Sequence, residues 1–514
     1  MKLIPYPSEL KLTNGNISLN KNIPISIDKT CQNEINLFIL ELEELLQIKC
    51  NILNSEKSKI IFSIENNFYD TNNLGAYKID INTDKIIIKA KTQKGIFYAT
   101  RTLLQIFMEY TKSNQETIEI PTVEINDKPN LSWRGIMLDS SRYMQSVKFI
   151  KKFINQLAFH KLNKFHWHLT DDQGWRIEIK KYPRLAKIGG FRKETVKGHI
   201  GTNKIKFDGK KYGGYYTQEQ IIDIVDYASK RYVDIIPEID IPGHSQAAVA
   251  SYPKLGCSKE KLEVCTIWGI NDYLLNVDDY TIEFMKDVFK EVMMLFPSEY
   301  IHIGGDEAHK PQWRATKSIQ KKIKDLGLNN EEELQAWFLE QIEEFINKSG
   351  RKIIGWDEIL EGDINKSAGI MSWRGTEGAI LGAKSGHEVV MASQTHNYFD
   401  YYQQEPRLEP LAIGGLTYTE DTYKFNVIPV ELNSKESKKI IGLQGQIWTE
   451  YIPTEEHLEY MTFPRLCALS ENAWINKEKK DWKKFKTNWN THQKRLDKYT
   501  INYYWGEIER PKTN

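Results

Sequence analysis

The densest chemistry in this sequence lies in His302-Ile303-Gly304-Gly305-Asp306-Glu307. A short apolar run ends in two glycines, which permit unusual backbone angles and close approach of a ligand. Two adjacent carboxylates follow. Their mutual repulsion, with partial burial, raises one pKa and leaves an acid still protonated near neutrality. An Asp-Glu pair on its own is more often a solvated surface feature; its place at the end of an apolar run favours chemistry. Asp240-Ile241-Pro242-Gly243-His244 ends a second run, and its Pro-Gly turn can aim His244 inward, toward Asp171. Trp356, Trp373 and Trp448 supply flat rings of the kind that stack on pyranose C–H faces, although any single Trp is more often core. In His166-Trp167-His168, strand alternation puts both histidines on one face, as a metal-dependent hydrolase would require. Such a site needs further His or Lys ligands at other strand ends, and those ends carry mainly acids and tryptophans, so neither a metal nor another cofactor is expected.

These residues must be positioned by regular elements. From Ser132 onward, short apolar runs alternate with amphipathic stretches. Eight strands are expected: Arg134–Leu138, Lys164–Leu169, Val233–Ile239, Tyr300–Ile303, Ile353–Trp356, Gly369–Trp373, Glu388–Met391 and Ile441–Ile447. Helical spacing separates several of them, at Val147–Phe159, Gln218–Arg231, Ile282–Phe296 and Leu334–Ser349. Eight such repeats define an α/β fold, a (β/α)8 TIM barrel, whose chemistry gathers at the strand ends. Those ends carry Asp139 with Arg142, Asp171 with Asp172, Asp240 with His244, and Asp306 with Glu307. Next come Trp356 with Asp357 and Glu358, Trp373 with Arg374, Tyr398 with Asp400, and Trp448 with Glu450. The collar reads as one acidic, aromatic-walled pocket.

Residues 1–127 read as a small non-catalytic α+β domain and 128–514 as the barrel with a C-terminal helical tail. In the first, strands are expected at Ile23–Ile27 and Lys59–Glu65, a hairpin at Ala76–Ile81 and Lys85–Ala90, and helices near Asn33–Leu46 and Gly95–Tyr110. Ile118–Pro129 runs through polar and proline residues as a boundary.

The 514 residues carry 70 Lys+Arg against 69 Asp+Glu, a balance that draws the chain to neither nucleic acid nor a charged membrane surface. No apolar run approaches a membrane span, and Met1–Gly15 does not read as a signal peptide. A chain whose leader had been removed would read the same way, so the compartment stays open. Five cysteines show no zinc spacing, and a Cys257–Cys265 disulfide is left open. Lys180–Lys211 is strongly basic and reads as a solvated excursion, with a rim contact for an extended or acidic glycan as its alternative.

In this order the motifs resemble glycoside hydrolase family 20, the β-N-acetylhexosaminidases. The matching stretches are Arg134–Asp139 with Arg142, His166–Arg176, Pro237–His244, His302–Glu307, Gly355–Glu358 and Gln446–Glu450. The resemblance covers about residues 130–475. It implies a retaining exo-β-N-acetylhexosaminidase that removes terminal N-acetylglucosamine or N-acetylgalactosamine from an oligosaccharide or glycoconjugate through an oxazolinium intermediate. It further implies Glu307 as general acid and then base, Asp306 on the acetamido N–H, and Tyr398 on the acetamido carbonyl. Arg142, Asp400 and Glu450 would grip the 3-, 4- and 6-hydroxyl edge, Asp171 and His244 would support the acid, and Trp356, Trp373 and Trp448 would form walls. An adjacent Asp-Glu pair suits substrate assistance, in which the acetamido group replaces the second enzymic carboxylate. One departure stands out: many members carry a further Trp after the Tyr398–Asp400 segment, but Tyr401–Thr419 contains none. That leaves one wall unassigned. Three rivals remain: a conventional glycosidase using Glu307 and Glu450, a metal hydrolase built on His166 and His168, and a non-catalytic sugar-binding barrel.

Overall fold

The computed structural model describes residues 1–511 apart from 69–72, 203 and 259. Eight parallel strands close a barrel: Trp133–Asp139, Lys164–His168, Asp234–Glu238, Tyr300–His302, Lys352–Trp356, Gly369–Ser372, Val389–Met391 and Ile440–Ile447. All eight coincide with the expected runs. The first is buried at every position, which is why such strands read as continuous apolar runs.

The helices that follow are built locally. In Val147–Phe159, Ser146 caps the N-terminus by accepting from Phe149 N–H, and Phe149, Ile150, Phe153, Ile154 and Leu157 bury one face. Gln218–Ser229 starts with a reciprocal Thr217–Gln220 capping box. Glu331–Lys348 opens on Asn330 and three glutamates that complement the positive helix end.

Inside the barrel the lower layers are apolar, with Trp133, Ile236, Tyr300, Ile354, Met371 and Val390 packed together. Above them the filling turns polar. Parallel register places Glu238 opposite His168 on one neighbouring strand and His302 on the other. All three are buried.

The first 127 residues contain a seven-stranded mixed sheet in the order Glu9–Asn20, Thr117–Asp127, Tyr77–Ile81, Ile86–Ala90, Ile60–Ile64, Asn22–Ile27, Lys49–Ile52, with helices Gln32–Leu46 and Gln93–Tyr110. Residues 118–127, expected to be an irregular boundary, instead form most of a strand that pairs on both sides. Pro121 is accommodated because it faces Asn16 beside an irregularity in the neighbouring strand.

Sheet and barrel meet at a buried knot. Asp127 accepts from Lys161 Nζ at 3.0 Å and from Trp474 Nε1 at 2.9 Å. Helices Arg465–Trp474 and Trp482–Lys498 complete the C-terminal part. All five cysteines are free, Cys257 and Cys265 included. No helix among the described residues is long and apolar enough to cross a membrane.

Candidate active site

Past the carboxyl ends of the barrel strands, Arg142, His244, Asp306, Glu307, Trp356, Trp373, Tyr398, Asp400, Trp448 and Glu450 line one cavity of about 220 Å³. Ten of the eleven expected site residues are thus brought together. The eleventh, Asp171, lies behind the wall: its Oδ1 is 3.1 Å from His244 Nδ1. Gln394, Tyr401 and Ile413 also line the cavity and were not assigned from sequence. Tyr401 and Ile413 belong to the segment that lacks the further Trp, so a tyrosine and an isoleucine form the side left unassigned.

Backbone strain marks the acid loops. Gly304 and Gly305 have φ of +67° and +100°, and the non-glycine residues His244 and Glu307 sit at +48° and +46°. Left-handed conformations at such residues persist only where the surroundings enforce them.

The electrostatics alternate in sign. Arg142 places Nη2 2.8 Å from Asp171, and Nη1 3.2 Å from Asp139 and 3.4 Å from Glu450. Burial works against ionised Asp171, yet Arg142 and His244 hold its pKa well below the carboxylate range. His244 Nε2 lies 3.5 Å from Glu307 and 3.8 Å from Asp306. Burial opposes its charge too, but Asp171, Asp172 and Glu307 together outweigh burial and raise His244 well above its ordinary value. Within the Asp306-Glu307 pair, Asp306 is the group pushed well up, by burial and then by Asp240. Burial and Glu450 do the same to Asp400. Asp306 Oδ1 and Asp400 Oδ1 are buried with no hydrogen-bond partner among the described residues, so each offers an acceptor to a ligand N–H or O–H.

The aromatic rings meet in two pairs. Trp356 and Trp448 have centroids 5.9 Å apart, and Trp373 stacks on Tyr398 at 6.3 Å with 24° between planes. Trp373 is anchored through Nε1 to Glu358 at 2.9 Å. His166 and His168 do not face the cavity: His166 Nε2 lies 3.0 Å from Glu238, and His168 bridges Glu238 and Asp171. Of the rest of the collar, Asp172 stands 3.6 Å from His244 Nδ1, and Asp357 and Arg374 serve local structure. Asp172 accepts from Gln246 N–H, and Asp357 pairs with Arg374.

A (β/α)8 barrel whose strand ends gather paired acids between aromatic walls has the parts that a sugar-cleaving hydrolase of the barrel class needs. Residues 131–477 match the model of the glycosyl hydrolase family 20 catalytic domain, and residues 1–128 match domain 2 of the same family. The chain belongs to glycosyl hydrolase family 20. It is 43% identical over 438 residues to a β-hexosaminidase of Porphyromonas gingivalis, covering 84% of this chain and 55% of that one. A β-hexosaminidase of Vibrio furnissii is 32% identical over 476 residues, with 91% and 76% covered. Among solved structures, the exo-β-N-acetylglucosaminidase of Vibrio harveyi in complex with N-acetylglucosamine superposes with a TM-score of 0.86 at 32% identity, covering 98% of this chain and 78% of that one. The chain thus spans little more than half the length of the Porphyromonas relative.

Proposed function

We propose that this chain is a retaining exo-β-N-acetylhexosaminidase. Residues 128–514 carry the reaction, and 1–127 take no part in the chemistry. Its substrates are oligosaccharides or glycoconjugates ending in N-acetylglucosamine or N-acetylgalactosamine.

The observation that carries the reading is the pairing of Glu307, beside the His244 ring, with a buried Asp306 whose Oδ1 has no hydrogen-bond partner among the described residues. Glu307 protonates the leaving oxygen. The acetamido carbonyl oxygen, tethered to the sugar, attacks the anomeric carbon, and tethering replaces a bimolecular encounter. Asp306 accepts the acetamido N–H and faces the positive charge that develops there. Tyr398 donates to the carbonyl oxygen and aims it. Glu307 then takes a proton from water, which opens the oxazolinium with overall retention. Arg142, Asp400 and Glu450 hold the hydroxyl edge, and Trp356, Trp373 and Trp448 enclose the ring. Drug-sized ligands occupy pockets of roughly 300 Å³ and more. The smaller cavity of about 220 Å³ supports the exo reading, because it suits one terminal sugar.

Initial rates on p-nitrophenyl N-acetyl-β-D-glucosaminide, the galactosaminide and the plain β-glucoside, with and without chelator, test the proposal. Turnover confined to the acetamido substrates and unaffected by chelator is expected. Comparable turnover of the plain glucoside would overturn it.

A further inference from the structure

Glu238 does not line the active-site cavity, yet four side chains converge on it. It is fully buried on the third barrel strand. Its Oε1 accepts from Trp356 Nε1 at 2.9 Å, and its Oε2 lies 2.5 Å from His168 Nδ1. His166 Nε2 and His302 Nδ1 stand 3.0 and 2.9 Å away. The other nitrogen of His168 is 2.8 Å from Asp171 Oδ2. Both ring nitrogens of His168 therefore face carboxylate oxygens, an arrangement that a ring with a proton on each nitrogen satisfies and a neutral ring does not. His166 differs: its Nδ1 accepts from Gln444, and burial lowers it to about 4.

We propose that Glu238 and His168 are positioning residues for the acid Glu307, acting through Asp171 and His244. Cross-strand register fixes Glu238 beside His168. His168 holds Asp171 from behind while Arg142 holds it from the side, and Asp171 holds His244 Nδ1 so that Nε2 faces Glu307. The same Glu238 carboxylate pins Trp356, so one buried group registers both the sugar-stacking ring and the acid's support.

The charges form the series Glu238 minus, His168 plus, Asp171 minus, His244 plus. Burial opposes the charge on His168, but Glu238 and Asp171 overcome it and raise the ring to about 10. The groups facing this series elsewhere are Asp139 and Glu450 through Arg142, Asp172 and Asp240 against His244, and Asp306 beside Glu307. Replacing His168 by a neutral side chain leaves one more uncompensated negative charge beneath the acid. The falling limb of the pH–rate profile, which reports loss of the proton-donating form, then shifts to higher pH.

The inference rests on Glu307 being the acid, and its test separates the two. In the full chain, H168Q keeps a group toward Asp171, and H168N keeps one toward Glu238. For whichever folds, with Tm within a few degrees of the unaltered chain, kcat/KM for p-nitrophenyl N-acetyl-β-D-glucosaminide is measured across pH. The falling limb should move up by roughly 0.5–1 pH unit, with kcat lowered about tenfold and KM changed by less than about threefold. A limb that stays in place in an active, folded variant overturns the inference and leaves the proposed function intact. Inactivity of the unaltered chain on this substrate would overturn both. Neutron diffraction of the unaltered protein at pH 8 requires no substitution: deuterium on both nitrogens of His168 is expected, and deuterium on only one overturns the inference.

Discussion

Gly304 lies directly against Asp240: a Cβ on Gly304 would sit 1.7 Å from Asp240 Oδ1, the atom that accepts the Gly305 N–H at 3.0 Å. This contact holds the strand end that delivers Asp306 and Glu307. Gly304→Ala must displace Asp240 and also strain a backbone at φ +67°. A loss of kcat by more than about 100-fold is expected, since small misplacements at reacting groups are costly. Gly350→Ala is the control, with φ +74° and nothing within 4 Å. It should cost about 1 kcal/mol of stability and leave kcat unchanged. Equal kinetics for the two variants would refute the claim.

Tyr398→Phe removes one hydroxyl and keeps the ring stacked on Trp373. If that hydroxyl aims the acetamido carbonyl, kcat should fall about 10- to 100-fold, the worth of one hydrogen bond to a developing charge. KM and Tm should scarcely move. A rise in KM alone would assign Tyr398 to sugar binding.

Arg142→Lys keeps the charge but loses the fork that reaches Gln173, Asp139, Asp171 and Glu450. A drop in kcat/KM of about 100-fold and a lower Tm are expected. Unaltered kinetics would show that the hydroxyl edge is held by Asp400 and Glu450 without it.

Stability should fall as pH rises from near neutrality toward 9. Burial and then Asp306 raise Glu358 to about 9. Above its unfolded value of about 4.5, the unfolded chain ionises this group and the folded chain does not, which favours unfolding until about pH 9. His168 adds to the trend. Its stabilisation is complete below its unfolded value of about 6.5 and is lost as pH rises toward its folded value of about 10. Glu358→Gln should therefore exceed the unaltered protein in Tm at pH 9 by about 2 °C or more, with little difference near pH 4.5. Parallel Tm curves for the two proteins across that range would contradict the assignment.

The barrel was legible because its strands are buried on both faces and stand out as short apolar runs. The sheet was less so. Glu9–Asn20 buries only Ile17 and Leu19, too few to reveal a period of two. In Thr117–Asp127, Ile118, Ile120, Val123 and Ile125 are buried, but Pro121 interrupts the pattern, and its tolerance depends on the irregularity in a partner strand over 100 residues away. Residues drawn into the cavity at strand ends were readable from position. Gln394 and Tyr401 were not, because loop paths decide what they face. Glu238 stood in a quoted motif, yet its place became visible only when register set His168 and His302 beside it.

The knot at Asp127 has a mechanical consequence. Lys161 follows the first barrel helix, Trp474 ends a late helix, and both hold the last residue of the final strand of the preceding sheet. Three regions distant in sequence are riveted at one buried carboxylate. Heat or denaturant should therefore melt sheet and barrel in one transition, and a protease should find no foothold at the junction until the whole molecule opens.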